Sequence, residues 1–153
     1  MTENKIVETI SRLLHEDKLL QSKFEELYQK KCFVFCEYNP RKYPKDNEAP
    51  FIYINVDTAL DDLNLTATEM QLGLVLGIVE KEEIATEYGT KLKALEVLTD
   101  VFLPRIVELL RGIPQIFIEK VEKDFVFENF PLCMVNMTVL IKQNTPIGTR
   151  KRQ

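Results

Sequence analysis

The chain has 153 residues, 45% of them hydrophobic and 29% charged, and a formal net charge of −4. That length accommodates one domain with a real core, and that composition excludes a chain disordered throughout. The negative charge weighs against nonspecific binding to nucleic acid or to an anionic membrane, since both need a basic surface.

The opening residues Met1-Thr2-Glu3-Asn4-Lys5 are polar and no apolar leader follows, so no secretory signal is expected. The longest apolar-and-glycine run, residues 72–79, falls far short of the roughly 18 residues a membrane span needs. Three cysteines, an odd number, fit a reducing compartment. The expectation is a soluble, cytosolic protein. In that setting the glycosylation patterns at Asn64-Leu65-Thr66 and Asn136-Met137-Thr138 carry no meaning.

Residues 3–30 predict helix, with Ile6, Ile10, Leu13, Leu14, Leu20, Phe24 and Leu27 on one face. Asp17 falls in the middle of that face. A break near His15-Glu16-Asp17, with Asp17 capping a second helix, resolves the conflict more simply than a buried carboxylate does. An unbroken helix is the alternative.

The period then changes to two. Cys32-Phe33-Val34-Phe35-Cys36 predicts a strand, residues 39–50 a polar loop with three prolines, and residues 51–56 a second strand. Residues 57–70 are acidic and threonine-rich, predicting a long loop with at most one helical turn near 59–63. Residues 72–80 predict a third strand, with Gly73 and Gly77 on one face and Leu72, Leu74, Leu76 and Ile78 on the other. A glycine row of this kind lets a helix or another backbone come close.

Tyr88, Leu92, Leu95, Phe102, Ile106, Leu109 and Leu110 share a helical face that runs past Pro104, which projects to the opposite side. The continuous face predicts a helix that survives the proline with a kink and stops at Gly112 and Pro114. Ile116-Phe117-Ile118 begins a fourth strand with a turn at Lys123-Asp124. Residues 132–142 form the last, with Cys133, Val135, Met137, Val139 and Ile141 on one face. The expected fold is α+β, an antiparallel sheet with two main helices on one face, in the order α-β-β-β-α-β-β. Residues 1–145 make a single domain, and 146–153 a flexible basic tail ending in Arg150-Lys151-Arg152. A solvated terminus accounts for that tail, and a phosphate contact is the other reading.

No catalytic constellation emerges, so no enzyme activity and no cofactor are expected. The one histidine, His15, sits on a charged helical segment with no nucleophile tied to it. Cys32 and Cys36 share a strand face about 13 Å apart, too far for a disulfide or a common zinc ion. Cys133 fits a core thiol. Asp57, Asp61 and Asp62 crowd one stretch but lack the spaced ligands and turn glycine of a calcium loop. The five glycines are scattered, and aromatics do not interleave with basic residues, so neither a phosphate loop nor a nucleic-acid platform is indicated.

The sheet has large or apolar residues on both faces, and helices cover only one. Phe51, Tyr53, Leu132, Met134 and Leu140 are therefore the candidate subunit interface, unless the long loops cover them. On that expectation, Phe51→Asp or Tyr53→Asp blocks assembly and spares the fold. Two other readings stay open: a small regulatory or ligand-binding module with a pocket between sheet and helices, and a metal-dependent enzyme using the Asp57-Asp61-Asp62 stretch.

The element order resembles the tail-completion (tail terminator, head-tail joining) proteins of long-tailed phages. An opening helix over residues 6–24, with Asp17 mid-segment, precedes a strand at 32–37, a proline-rich loop at 40–50 and the proline-led strand Pro50-Phe51-Ile52-Tyr53-Ile54. A strand and helix over 72–110, and a closing hairpin over 116–142 before a short tail, continue the likeness. The resemblance implies a structural phage or prophage protein used in virion assembly. Its subunits would form a six-fold homo-oligomeric ring that caps the tail tube and joins it to the head. It implies tail-tube and head-connector proteins as partners, a head-to-tail closed interface, and residence in the host cytoplasm before the virion tail. It also implies that the basic tail and the 39–50 loop become ordered on assembly.

Overall fold

The computed structural model describes residues 2–35, 48–61 and 67–144; the expected strand end at Cys36, most of the 39–50 loop, and the 146–153 tail lie outside them. Asp17 settles how the chain begins. Helix α1 (Glu3–Glu16) ends at Asp17, and α2 (Lys18–Tyr28) starts there, with the Asp17 carboxylate accepting the Leu20 N–H at 2.9 Å. A carboxylate that would be misplaced inside one long helix is at home as a cap between two. The α1 N-terminus is capped in the same way by Thr2, whose hydroxyl accepts from Lys5 N–H.

Five strands form the main sheet in the order β1-β2-β3-β7-β6. They are β1 (Phe33–Phe35), β2 (Phe51–Asp61), β3 (Ala67–Val79), β6 (Phe117–Val126) and β7 (Leu132–Asn144). Every neighbouring pair is antiparallel except β1 with β2, which run parallel. The α+β class is as the sequence implies, but the parallel pair departs from a purely antiparallel sheet. Two other expectations are corrected. Residues 57–61 and 67–70 continue β2 and β3 as a long hairpin, because β3 stays in register with β7 past Gly73, β2 resumes its pairing with β3 after a bulge between Val56 and Thr58, and the ladder outweighs the local polar composition. Likewise Lys123-Asp124 is not a turn; β6 runs through it to Val126, opposite Met137 and Asn136.

A small hairpin, β4 (Glu83–Thr86) with β5 (Gly89–Leu92), follows β3. This corrects the expected helix at its start: Tyr88 lies in the hairpin turn and Leu92 in its second strand. The helix begins with α3 (Lys93–Val97), widens into a π-helical turn over Leu98–Phe102, and continues as α4 (Leu103–Arg111). The Leu103 N–H donates to Leu98 C=O, five residues back. Pro104 has no N–H to give to the next carbonyl, and the wide turn absorbs that gap without breaking the apolar face. Pro104 itself is exposed on the far side, as its position predicts.

Both helical units pack on one sheet face. Ile10 and Leu14 of α1, Phe24 of α2, and Phe102, Ile106 and Leu110 meet Ile52, Ile54, Leu72, Leu74, Leu76, Val135 and Val139, all with no exposure. Phe24 and Phe102 stack with ring centroids 4.0 Å apart, and Tyr28 of α2 also meets the Phe102 ring at 6.3 Å, so aromatic contacts join the two helical units. Each such side chain contributes about 1.5–3 kcal/mol of burial. Two polar links fix the arrangement. Arg105 grips Asp17 with two hydrogen bonds of 2.7 and 3.0 Å, and buried Gln21 bridges Leu14 C=O to the Cys32 N–H.

Candidate subunit interface

The helix-free face is ordered by register. One row crosses all five strands: Phe33, Phe51, Gly77, Met134 and Val126. The next contains Phe35, Tyr53, Val75, Asn136 and Asp124, and the one after it Asn55, Gly73, Thr138 and Glu122. Apolar residues therefore gather at the end where β1 begins and β3 finishes, and polar ones occupy the other end. Gly77 and Gly73 serve these rows and not a helix. A Cβ on Gly77 would collide with the Phe51 ring, and one on Gly73 would meet the Asp57 carboxylate at 2.9 Å. The close approach expected of the glycine row is thus made by cross-strand side chains.

Phe51, Tyr53, Leu132 and Met134 come together with Ala49 and Val75 in a second apolar cluster, and Leu140 does not join them. Leu140 lies further along β7, half-buried between Gln71 and Lys120. Within the single chain Phe51 has no exposure, and Tyr53, Leu132 and Met134 have 9%, 3% and 4%. These four side chains are packed away already, so they are not the bare apolar surface that a partner would have to cover. Leu140 keeps some exposure, but among polar neighbours.

The most exposed of the described aromatics lie elsewhere. Phe33 on β1 and Phe117 on β6 are 57% and 65% exposed, and Tyr88 at the β4–β5 turn is 93% exposed. β1 and β6 are the two edges of the sheet. Sequence reading missed this because the order of strands in the sheet, and hence which strand is an edge, is set by long-range pairing. The alternation Phe33-Val34-Phe35 did carry the face of each residue.

The edges differ in charge. β6 carries Glu119, Lys120, Glu122, Lys123 and Asp124, a charged edge with a bulge between Ile118 and Lys120. Glu119 holds Lys142 at 3.1 Å, and Lys120 holds Glu122 at 2.7 Å. The Lys120 ammonium holds the Glu122 carboxyl below its usual range. At the other edge, Lys30, Lys31, Phe33, Phe35 and Glu48 line a shallow cleft.

The remaining sequence candidates among the described residues are dispersed. His15 is exposed at the end of α1. Cys32 and Cys133 are buried free thiols, and burial pushes both upward, Cys133 to about 11 with a further push from Glu80. Neither is poised as a thiolate nucleophile. Asp57 is exposed and accepts a hydrogen bond from Asn55 at 2.8 Å, and Asp62 lies outside the described residues. No group of three or more His, Cys, Asp or Glu side chains is placed to hold a metal among the described residues. No described helix is long and apolar enough to cross a membrane. Between sheet and helices the described apolar side chains pack into the main core. The chain matches no protein-family model and no curated protein.

Proposed function

We propose that this chain is a structural subunit that associates head to tail into a ring, and that the ring is the tail-tube cap and head joint of a phage or prophage. The observation that carries the self-association is the pair of unlike edges on one sheet. A rotational ring needs two different patches on opposite sides of each subunit, not one patch that matches itself. β1 and β6 are on opposite sides and, through the chain of pairings between them, run in opposite directions. Two copies related by rotation about an axis along the strands therefore bring β6 beside β1 as an antiparallel pair. Phe33 leaves an exposed aromatic on β1, and Lys31 beside it lies toward the same end of the sheet as the exposed Asp124 of β6. The charges and bulge on β6 oppose indiscriminate edge pairing, so the match depends on the partner strand.

The phage assignment rests on the resemblance in element order together with the α+β fold. Two experiments test the two halves. Phe33→Lys and Asp124→Lys, both at exposed positions toward the same end of the sheet, should abolish assembly and leave thermal unfolding unchanged; full assembly of both variants contradicts the edge junction. Electron microscopy of the protein mixed with uncapped phage tail tubes should show density at tube ends. Bare ends at saturating protein contradict the capping role.

A further inference from the structure

A ring subunit with two layers must turn one of them outward, and the widths of the layers decide which. Five strands at the usual neighbour spacing make a sheet about 24 Å wide. On its covered face α1 lies over β1 and β2, α4 lies over β6, and the two helices meet, so they stand side by side. Together they need about 20 Å of width, centred about 10 Å off the sheet. Six such sheets joined edge to edge close at a radius of about 23 Å. About 10 Å further in, each copy has an arc of only about 14 Å, too narrow for two helices. About 10 Å further out it has about 35 Å, and the helices fit.

We infer that the helices stand outside the ring and that the helix-free sheet face lines its channel, an acidic wall that a polyanion passes without adhering. This sidedness rests on the proposed ring. With side chains projecting inward, the channel is about 35 Å across. The middle of that face suits water: Gln71 of β3, Asn136 of β7 and Glu122 of β6 are all exposed. Its charges are unbalanced among the described residues. Lys142 holds Glu69 at 3.3 Å and Glu119 at 3.1 Å, Lys120 holds Glu122 at 2.7 Å, and the Asp57 carboxylate over Gly73 makes no ion pair. Asp124 belongs to the edge junction. Each copy therefore gives the wall these four carboxylates against two ammonium groups, and a wall of that sign repels a polyanion.

The test is the distance between copies in the assembled ring, read by pulsed electron spin resonance on nitroxide labels, with light scattering as the assembly control. The labels go on Asn136→Cys of the helix-free face and Ser22→Cys of α2, both at exposed positions, in a Cys36→Ser background because Cys32 and Cys133 are buried. Gln71→Cys, also exposed, repeats the measurement on the helix-free face. Neighbouring labels in a ring of six stand one radius apart, so Asn136→Cys should give about 20 Å and Ser22→Cys about 40 Å. A distance on the helix-free face equal to or longer than that at Ser22→Cys overturns the channel wall and leaves the ring standing. The charge is read separately. At Asn136→Cys in the ring a cationic thiol reagent should react several-fold faster than an anionic one of equal size, with the gap shrinking in salt. Equal rates overturn the acidic wall. A wild type that stays monomeric overturns ring and wall together.

Discussion

Asp17 accepts the Leu20 N–H and takes both prongs of Arg105, so one side chain caps a helix and ties it to α4. The guanidinium holds the Asp17 carboxyl below its ordinary range despite burial that acts the other way. A group depressed in the folded state stabilises fully above its ordinary value and loses that contribution as pH falls through the folded one. Asp17→Asn should therefore lower the urea midpoint at neutral pH, with the gap to wild type closing in strong acid; a constant gap contradicts the assignment. Loss of the cap alone costs about 1 kcal/mol. Gln21→Leu should cost about 1–3 kcal/mol, because it strands the buried Cys32 N–H and the Leu14 carbonyl. The cap at Asp17 was legible in the sequence, since a carboxylate in an apolar stripe calls for a helix end. Its partner Arg105 was not, because nothing local marks a contact across 88 positions.

Gly77 and Phe51 show how elements fit. They face each other across β2 and β3, and the Phe51 ring occupies the space where a side chain on residue 77 would stand. Gly77→Ala should destabilise by about 1–3 kcal/mol, and by clearly less in a Phe51→Ala background; equal costs in both backgrounds would remove the ring as the cause. Phe51→Asp now belongs with unfolding variants and not with assembly variants, because it places a carboxylate where no solvent reaches. Period and face were readable for β3 and β7, where Leu72, Leu74, Leu76 and Ile78 alternate with small or polar residues. Residues 57–61 and 67–70 were not, since their polar composition matches a loop and only the long ladder makes them strands. The β4–β5 hairpin hid for a related reason: Tyr88 and Leu92 fit the helical spacing of Leu95 and Phe102 by coincidence.

For the whole molecule, burial of Phe51, Tyr53, Leu132 and Met134 moves the argument for association from the helix-free face to the sheet edges. The fold class followed from counting helices against strands. The edges needed the order β1-β2-β3-β7-β6, which pairing alone reveals. Edge junctions that depend on Lys–carboxylate matching are screened by salt, so assembly should weaken as ionic strength rises; assembly that strengthens with salt points to an apolar junction instead. The most direct test of the central claim is molar mass by light scattering behind a sizing column, across a wide concentration range. The account predicts a discrete species near six subunits. A mass of 17.8 kDa at every concentration would contradict it.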